Sequence, residues 1–200
     1  MSLTTWMRRL DRRALELVIG IALLVVGLAA LFPLLGVTGL IPAADAREVE
    51  IDTRTAAPGP SSGGISLRGT HHAELAVSDP GLLDRILLSG PVIVQAILII
   101  VILTFLMRMA ATFRDGEIFV PQNTRRLYWI AFTLLLTAFA VPALDTVTTI
   151  ALVSGTPLEQ TVSNSYTLPG VPVLLALLTA ALAGAFAHGA RLRADTEGLV

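Results

Sequence analysis

Residues 92–112 read VIVQAILIIVILTFLMRMAAT, an almost unbroken apolar stretch in which Arg108 is the single charged side chain. A backbone in hydrocarbon finds no water to bond, so such a stretch must close its own hydrogen bonds as a helix. Crossing the hydrocarbon core takes roughly 20 apolar residues. Residues 15–35, 127–153 and 171–190 meet the same requirement. The sequence therefore predicts an all-α membrane protein, a bundle of four transmembrane helices arranged as two tandem hairpins.

The composition supports this class and excludes several chemistries. The 200-residue chain is 54% hydrophobic and 14% charged, against roughly 25% charged residues in an ordinary soluble domain. Cysteine is absent, which excludes disulfides, thiolate metal sites and cysteine nucleophiles. All 14 basic residues are arginine, which excludes Schiff-base lysines and the lysine of a phosphate-binding loop.

The distribution of arginine predicts the orientation, because basic residues near the membrane concentrate on its cytoplasmic side. With four crossings, residues 1–14, 113–126 and 191–200 share one side, and the ten arginines and six acidic residues in or beside them net +4. Residues 36–91 and 154–170 form the loops of the other side, and their four arginines and eight acidic residues, counted with Asp145 near the outer end of the third span, net −5. Both termini are therefore predicted to be cytoplasmic.

The N-terminal segment has a rival interpretation as a cleaved export signal. It carries paired arginines, an apolar stretch and Ala44-Asp45-Ala46, which resembles an A-x-A cleavage site. That apolar stretch is about 21 residues long, whereas the apolar region of a signal peptide has about 7–15. A retained first helix is favoured over cleavage, which would leave three crossings.

The first outer loop contains short stretches of alternating polar and apolar residues, a pattern typical of half-exposed strands. Between them, residues 57–64 are rich in Pro, Gly and Ser and predict a turn or flexible linker. Two strands alone are marginal in water, so a small sheet here is expected to rest on the helices or on a partner. The predicted strands are residues 47–53, 65–69 and 74–77, with a further strand available from residues 161–168. This is the extracytoplasmic β-rich loop of the predicted fold.

An internal repeat is the most specific feature of the chain. Residues 113–119 (FRDGEIF) and 186–192 (FAHGARL) both read F-x-x-G-x-x-(F/L), and their aligned positions lie 73 residues apart. Gln122 and Asp195 align at the same offset. The repeat favours a duplicated two-helix hairpin, a parallel repeat, over a chance match between residue types that are common in membrane sequences.

The repeat also predicts how the helices end. Gly116 or Gly189 can take the left-handed conformation that terminates a helix, and the apolar residue that follows can fold back against the bundle. Asn123 or Thr124 is the predicted N-cap of the third helix. Both copies are expected to lie at equivalent helix exits on the cytoplasmic side.

The first copy and its flank resemble a known family. Gly116-Glu117-Ile118-Phe119, followed by Asn123 and by Arg126-Leu127, resembles the central motif of domain-of-unknown-function family 2975, whose members are bacterial integral membrane proteins. Residues 189–200 resemble the closing motif of that family. The resemblance covers helices two to four, and the first helix and outer loop in layout alone. The Pro/Gly/Ser-rich outer insertion departs from the family pattern.

The resemblance implies a multi-pass protein of the inner membrane with four transmembrane helices and no established enzyme activity. Family members often occur beside a small helix-turn-helix regulator, which implies a cytoplasmic DNA-binding partner rather than direct contact with nucleic acid. The candidate interaction motif comprises Phe113, Gly116, Glu117, Phe119, Asn123, Arg126, Gly189, Leu192, Asp195 and Glu197.

Asp145 is the main ionisable residue within a predicted span. Such a carboxylate is costly in a membrane and by default suggests proton or cation coupling. It lies about 18 residues past Leu127, roughly 27 Å along a helix, and so near the outer interface. A solvated or capping aspartate is therefore favoured over a coupling site. Arg108 lies one turn from a helix end and can extend to the headgroups.

The histidines are weak candidates for chemistry. His71, His72 and Glu74 could bind a divalent metal, but neighbouring residues on a strand point to opposite faces, so a solvated loop is favoured and no metal site is predicted. His188 could report cytoplasmic pH, or be an ordinary histidine at a helix end. Without a serine–histidine–acid set, a phosphate-binding loop or an HExxH motif, we predict no enzyme and no cofactor.

Two hypotheses follow. The first is a non-enzymatic regulatory or scaffolding membrane protein, surrounded by membrane lipids, that holds a helix-turn-helix regulator at the membrane. The alternative is a small permease or ion-coupled transporter that works as a homo-oligomer. Ala176, Ala180 and Gly184 recur at every fourth position, a spacing that suits close helix packing. Packing inside the bundle is favoured over a dimer face for these three residues.

Overall fold

The computed structural model describes residues 3–42, 46–51, 61–62, 65–66, 72–114, 116, 118–162 and 166–197. Four long helices dominate it, and each contains a segment long and apolar enough to cross a membrane. They are α1 (Leu3–Thr38), α2 (Leu82–Arg114), α3 (Pro121–Val153) and α4 (Gly170–Glu197). The four predicted helices are thus present, and every one extends beyond the apolar stretch that predicted it.

Polar flanks lengthen the helices because they supply caps as well as helix formers. At the start of α2, the Asp84 carboxylate accepts a hydrogen bond of 3.0 Å from the backbone N–H of Gly81. A carboxylate in the first turn also suits the positive end of the helix dipole. The helix therefore begins ten residues before the predicted start at Val92 and runs through Pro91.

The predicted N-cap of α3 is wrong. The helix begins at Pro121, so Asn123 and Thr124 both lie inside its first turn. Proline suits the first helical position, since its fixed φ is helical and no backbone N–H is needed there. The predicted loop at residues 113–126 consequently shrinks to the short connection between Arg114 and Pro121, and the Asn123 side chain bonds residues of that connection and of both helices.

The two glycines of the repeat behave differently. Gly116 has φ 84°, and its N–H donates to the carbonyl of Phe113 at 3.1 Å, so it ends α2 as predicted. Gly189 lies inside α4 and is not left-handed, so the prediction that it ends a helix is wrong. The residues after Gly189, ARLRA, are good helix formers. After Gly116, by contrast, Pro121 follows within five residues, and proline disfavours the interior of a helix. The two copies do not lie at equivalent helix exits.

Two small antiparallel sheets occupy the loop between α1 and α2. Strand β1 (Ala46–Glu50) pairs with β4 (His72–Ala76), and β2 (Ser61–Ser62) pairs with β3 (Ile65–Ser66). The first and last of the three predicted strands in this loop are confirmed in position. Strand β3 covers the first two residues of the middle one, 65–69, whose other residues lie outside the described part of the chain. Ser61 and Ser62 form a strand inside the predicted linker, whose other residues lie outside the described part of the chain. Of the predicted extra strand at residues 161–168, the structure describes 161–162 and 166–168, and these form one bridge, Ile51 to Val162.

The chain divides into two compact units, each with its own core. The first, here called the helical unit, consists of Met1–Ala30, Val94–Ala140 and Leu168–Val200, and the second, the loop unit, of Leu31–Ile93 and Val141–Thr167. The helical unit is centred on Met109, Leu127, Ile130 and Ala183. The loop unit is centred on Val49, Leu75, Val153 and Val162.

Candidate functional site

The two copies of the repeat meet through their aromatic rings in the helical unit. The Phe113 ring, at the end of α2, lies 6.3 Å from the Phe186 ring of α4, centroid to centroid. The Phe119 ring, just before α3, lies 5.3 Å from the same ring. Both pairs are tilted, a geometry in which aromatic rings attract each other beyond the burial of their area. Phe186 is therefore shared by both aromatic residues of the first copy.

Gly189 provides the surface on which Phe119 rests. A Cβ atom added at Gly189 would lie 2.8 Å from Cδ1 and 3.0 Å from Cε1 of Phe119. These distances are too short for two carbon atoms, so the ring can approach the α4 backbone only because residue 189 has no side chain. The glycine of the second copy thus permits contact between the copies instead of ending a helix.

A buried asparagine connects the helices on either side of the short turn. Asn123 is 0% exposed, and its Nδ2 donates to the carbonyl of Ile118 at 3.0 Å. Its Oδ1 accepts from Thr112 Oγ1 at 3.0 Å and from Arg126 Nη1 at 2.9 Å. A buried amide is tolerated only when it is hydrogen-bonded. Asn123 therefore holds together the end of α2, the turn and the first turns of α3.

Two arginines extend this arrangement. Arg126 Nη1 also donates to the carbonyl of Arg108 at 2.8 Å, a second link between α3 and α2. Arg114, the last residue of α2, donates through Nη1 to Glu16 Oε2 of α1 at 3.0 Å. Because the Arg114 side chain is half exposed, this ion pair contributes little to stability. Its effect is to fix where α1 meets the end of α2.

Beside the aromatic contacts lies an open apolar groove of about 350 Å³. It is formed by the first turn of α3 and the last third of α4, and most of the residues that line it are small. The lining residues are Pro121, Thr124, Ala187, Ala190, Arg191 and Ala194. Exposed apolar side chains of the repeat, Ile118, Phe119 and Leu192, add to the apolar surface of this part of the unit.

The structure brings together five of the ten predicted motif residues in two clusters. Phe113, Phe119 and Gly189 meet at Phe186, and Asn123 bonds Arg126. Gly116 ends α2, while Leu192 and Asp195 are exposed on α4. Glu117 lies outside the described residues, and α4 includes Glu197. Phe186 is not among the predicted site residues, although it is the first residue of the second copy.

The loop unit contains a second polar cluster, around Arg47 of β1. The Arg47 side chain is only 11% exposed, and its Nη1 lies 3.5 Å from Asp145 Oδ1. Nη1 also donates to Thr148 Oγ1 at 2.9 Å, and Nη2 donates to Thr149 Oγ1. Burial lowers the pKa of Arg47, and the negative charge of Asp145 opposes that shift. The guanidinium thus fastens the strand to α3.

Asp145 takes part in this cluster and does not cap a helix. Its side chain is 52% exposed, and α3 continues beyond it to Val153. Its backbone carbonyl accepts hydrogen bonds from the hydroxyls of Thr148 and Thr149. The sequence analysis missed Arg47 as its partner. Period-two alternation could have shown it, because Arg47 shares a strand face with Val49, a core residue.

The two histidines that the structure describes, His72 and His188, lie on β4 and α4. His72 Nδ1 is 3.5 Å from Glu48 Oε1 on the neighbouring strand, and both side chains are largely exposed. His188 is exposed within α4, and His71 lies outside the described residues. Over the described part of the chain, no group of three His, Asp or Glu side chains could hold a metal ion.

At the repeat, the arrangement is suited to binding rather than to bond making. Its described side chains either pack as rings, bond neighbouring helices or line an apolar groove, and none is a nucleophile paired with a base. Comparisons of the chain with protein-family models, with curated proteins and with solved structures found no match.

Proposed function

We propose that this protein is a non-enzymatic membrane protein that holds a soluble regulatory protein at the cytoplasmic face of the bacterial inner membrane. The observation that carries the proposal is the contact between the two copies of the repeat, beside which lies an open apolar groove. A repeat that only ended two helices would need no contact between its copies. A contact that positions exposed apolar residues beside a groove suits a binding surface.

The chemistry of the groove indicates what could occupy it. Alanines at positions 187, 190 and 194 leave room along one face of α4, and Arg191 supplies a positive charge at the rim. An amphipathic helix with an apolar face and a few acidic residues would match such a groove, a common way for one protein to recognise another.

The identity of the partner is argued from resemblance. The motif residues Gly116, Phe119, Asn123, Arg126 and Gly189 are those that resemble family 2975. They include the residues that pack or bond the turn between α2 and α3. Membership of that family, and with it a helix-turn-helix DNA-binding regulator as the partner, is part of this proposal.

The proposed orientation places the groove where such a regulator could reach it. Four crossings put both termini and the α2–α3 turn on one side, and arginine is enriched there. Since basic residues near a membrane favour the cytoplasmic side, the groove faces the cytoplasm in this proposal.

Filling the groove tests the proposal directly. Ala187→Trp places a large ring in the groove, whereas Ala185→Trp puts the same ring on an exposed alanine of α4 outside the groove lining. The tagged proteins are purified in detergent from their native host, and co-purifying proteins are quantified by mass spectrometry. We expect one DNA-binding protein to be recovered with the wild type and with Ala185→Trp, and at least tenfold less with Ala187→Trp.

A second variant keeps this test independent of local folding. Removal of residues 191–200 shortens the groove without adding a ring, and it should release the same protein from the membrane fraction. Recovery of no DNA-binding protein with the wild type, or unchanged recovery with both variants, would show that the proposal is wrong.

The permease hypothesis depends on Asp145, and the geometry does not favour it. The carboxylate is half exposed and pairs with Arg47 of the loop unit, which gives it an anchoring role. Among the polar residues of the spans, threonines 104, 133, 137 and 179 donate their hydroxyls to their own helix backbones, and Gln95 is exposed on α2. No described set of polar side chains therefore forms a midplane site.

A further inference from the structure

An aromatic stripe with an arginine at one end follows one face of α3. Arg125, Tyr128, Trp129 and Phe132 line a shallow groove of about 300 Å³. Their spacing of three, four and seven residues places them on neighbouring turns of a single helix face. The rings of Trp129 and Phe132 meet edge to face, with centroids 5.8 Å apart. The groove thus combines one cation with a continuous apolar wall.

The aromatic side chains of the stripe are not covered by protein. Tyr128, Trp129 and Phe132 are 51%, 50% and 55% exposed, although each has a large apolar ring. Half-exposed tyrosine and tryptophan near the end of an apolar helix are typical of residues at the level of lipid headgroups. The lipid beside such a helix would cover these rings.

Arg125 forms no ion pair with any residue in the described part of the chain. It is exposed, and among the residues that the structure describes none accepts a hydrogen bond or forms an ion pair with its guanidinium group. This distinguishes it from Arg114, which pairs with Glu16, and from Arg126, which bonds Asn123. The guanidinium also lies near the start of α3, where the helix dipole favours a negative charge.

We propose that this groove binds an anionic phospholipid. The guanidinium group of Arg125 bonds the phosphate, since its planar fork matches phosphate oxygens, and an acyl chain lies along Trp129 and Phe132. The charge selects an anionic headgroup over a zwitterionic one, whose own cation would compete for the phosphate. The proposal requires that α3 crosses a membrane, and it is independent of the regulator proposed above.

Quenching of Trp129 fluorescence by brominated lipids tests the assignment. The chain has two tryptophans, so Trp6→Phe leaves Trp129 as the single reporter. The purified protein is reconstituted into vesicles in which brominated phosphatidylglycerol or brominated phosphatidylcholine replaces part of an unlabelled phosphatidylcholine matrix. We expect phosphatidylglycerol to bind beside Trp129 about fivefold more strongly than phosphatidylcholine, the size that one arginine near an anionic surface supplies.

Charge variants then locate the preference. Arg125→Gln should reduce the fivefold ratio to near one, and Arg125→Lys should retain most of it because the charge remains. Arg108→Gln removes an equal charge from an exposed position on α2 and serves as the matched control, with the ratio unchanged. Equal quenching by both lipids in the Trp6→Phe protein, or an equal fall of the ratio in the Gln variants at 125 and 108, would overturn the proposal.

Discussion

Asn123 shows how one buried amide can set the geometry of a turn. Its side chain uses one donor and one acceptor oxygen to reach residues before and after it in the chain, Ile118, Thr112 and Arg126. All three hydrogen bonds are partly buried, so water would replace them only in part if the amide were removed. We therefore expect Asn123 to contribute strongly to the stability of the turn.

Replacing that amide should be costly. Asn123→Ala removes the side-chain donor to the Ile118 carbonyl. It also removes one of the two acceptors of the Thr112 hydroxyl and of Arg126 Nη1, whose other acceptors are the carbonyls of Met109 and Arg108. Because an unsatisfied buried polar group costs about 1–3 kcal/mol, we expect the free energy of unfolding to fall by about 2–3 kcal/mol. The measurement is unfolding by sodium dodecyl sulfate in mixed micelles. Thr112→Val, which removes one of the three bonds, should cost about 1 kcal/mol, and equal stability of Asn123→Ala and wild type would contradict this role.

Gly189 allows a second residue-level prediction, because Gly184 lies on the same helix in open surroundings. An added Cβ would meet Phe119 at 2.8 Å at position 189, whereas it would meet nothing within 4 Å at position 184. Replacing a helical glycine by alanine gains up to about 1 kcal/mol of helix propensity at either position. We expect Gly184→Ala to stabilise the protein and Gly189→Ala to destabilise it, as measured by thermal unfolding in detergent.

The cause of that difference can be isolated with a double variant. If the penalty at position 189 arises from the Phe119 ring, then adding Phe119→Ala to Gly189→Ala should restore the propensity gain. The comparison is with Phe119→Ala alone, so the loss of the ring contacts cancels. A penalty that persists without the ring would mean that the close approach in the structure is not its source.

Single residues were predictable from sequence where their role is local. Gly116 has the positive φ that glycine readily adopts at the end of a helix, so its role follows from its residue type. Gly189 and Arg47 contact residues that are distant in the chain. The contacts of Asn123 were not expected, because the predicted start of α3 made this residue an N-cap. Propensity gave no reason to expect Gly189 beneath a ring. The alternation of β1 did place Arg47 on an apolar face, and that feature was overlooked.

At the level of elements, the sheet formed by β1 and β4 depends on its attachment. A two-stranded sheet is marginal in water, and this one buries only Val49 and Leu75 in the core of the loop unit. Arg47 adds hydrogen bonds to the hydroxyls of Thr148 and Thr149 and to the carbonyl of Leu87. The guanidinium therefore connects β1 to both α3 and α2.

Removing that connection should loosen the sheet while the helices remain intact. Arg47→Met retains an apolar side chain of similar length but no donor, so we expect amide hydrogen exchange across β1 and β4 to accelerate at least about tenfold, equivalent to about 1.4 kcal/mol. Exchange in α2 and α3 should change little. Asp145→Asn is the matched control, because it removes the half-exposed ion pair and retains the backbone carbonyl. Its effect should stay below about 1 kcal/mol.

The outcome would separate two views of this cluster. If exchange in the sheet is the same in Arg47→Met and in the wild type, the apolar contacts of Val49 and Leu75 hold the strands without the arginine. If Asp145→Asn proves as disruptive as Arg47→Met, the ion pair rather than the threonine hydroxyls anchors β1.

The presence of elements was easier to predict than their limits. Apolar length alone predicted all four helices, because hydrocarbon permits few alternatives to a helix. Their ends depend on caps such as Asp84 and on Pro121 at a first helical position, which hydropathy does not register. The period-two pattern located β1 and β4. Nothing in the sequence of residues 161–168 indicated that, among its described residues, Val162 alone would form a bridge.

For the whole molecule, the exposed surface is the feature to be explained. The spans are buried over only 11–28% of their most apolar windows, and large apolar side chains such as Leu17, Leu24 and Leu177 are more than half exposed. A protein in water would be expected to cover so much apolar area. Lipid covers this apolar area if the four helices cross a membrane. The two small cores then determine how each unit packs internally.

Four crossings lead to a prediction that the absence of cysteine makes easy to test. Single cysteines are placed at Glu48 and Thr161, exposed residues of the two outer segments, and at Gln122 and Asp195, exposed residues near the repeat. In intact cells, a membrane-impermeant maleimide should label the first two and spare the others, which react only after permeabilisation. With an odd number of crossings, Gln122 and Asp195 would lie on opposite sides of the membrane, or the two termini would. Labelling of the cysteine at position 122 or at position 195 in intact cells would therefore refute the arrangement.

An N-terminal tag that stays on the mature protein would exclude cleavage near Ala46 in the same cells.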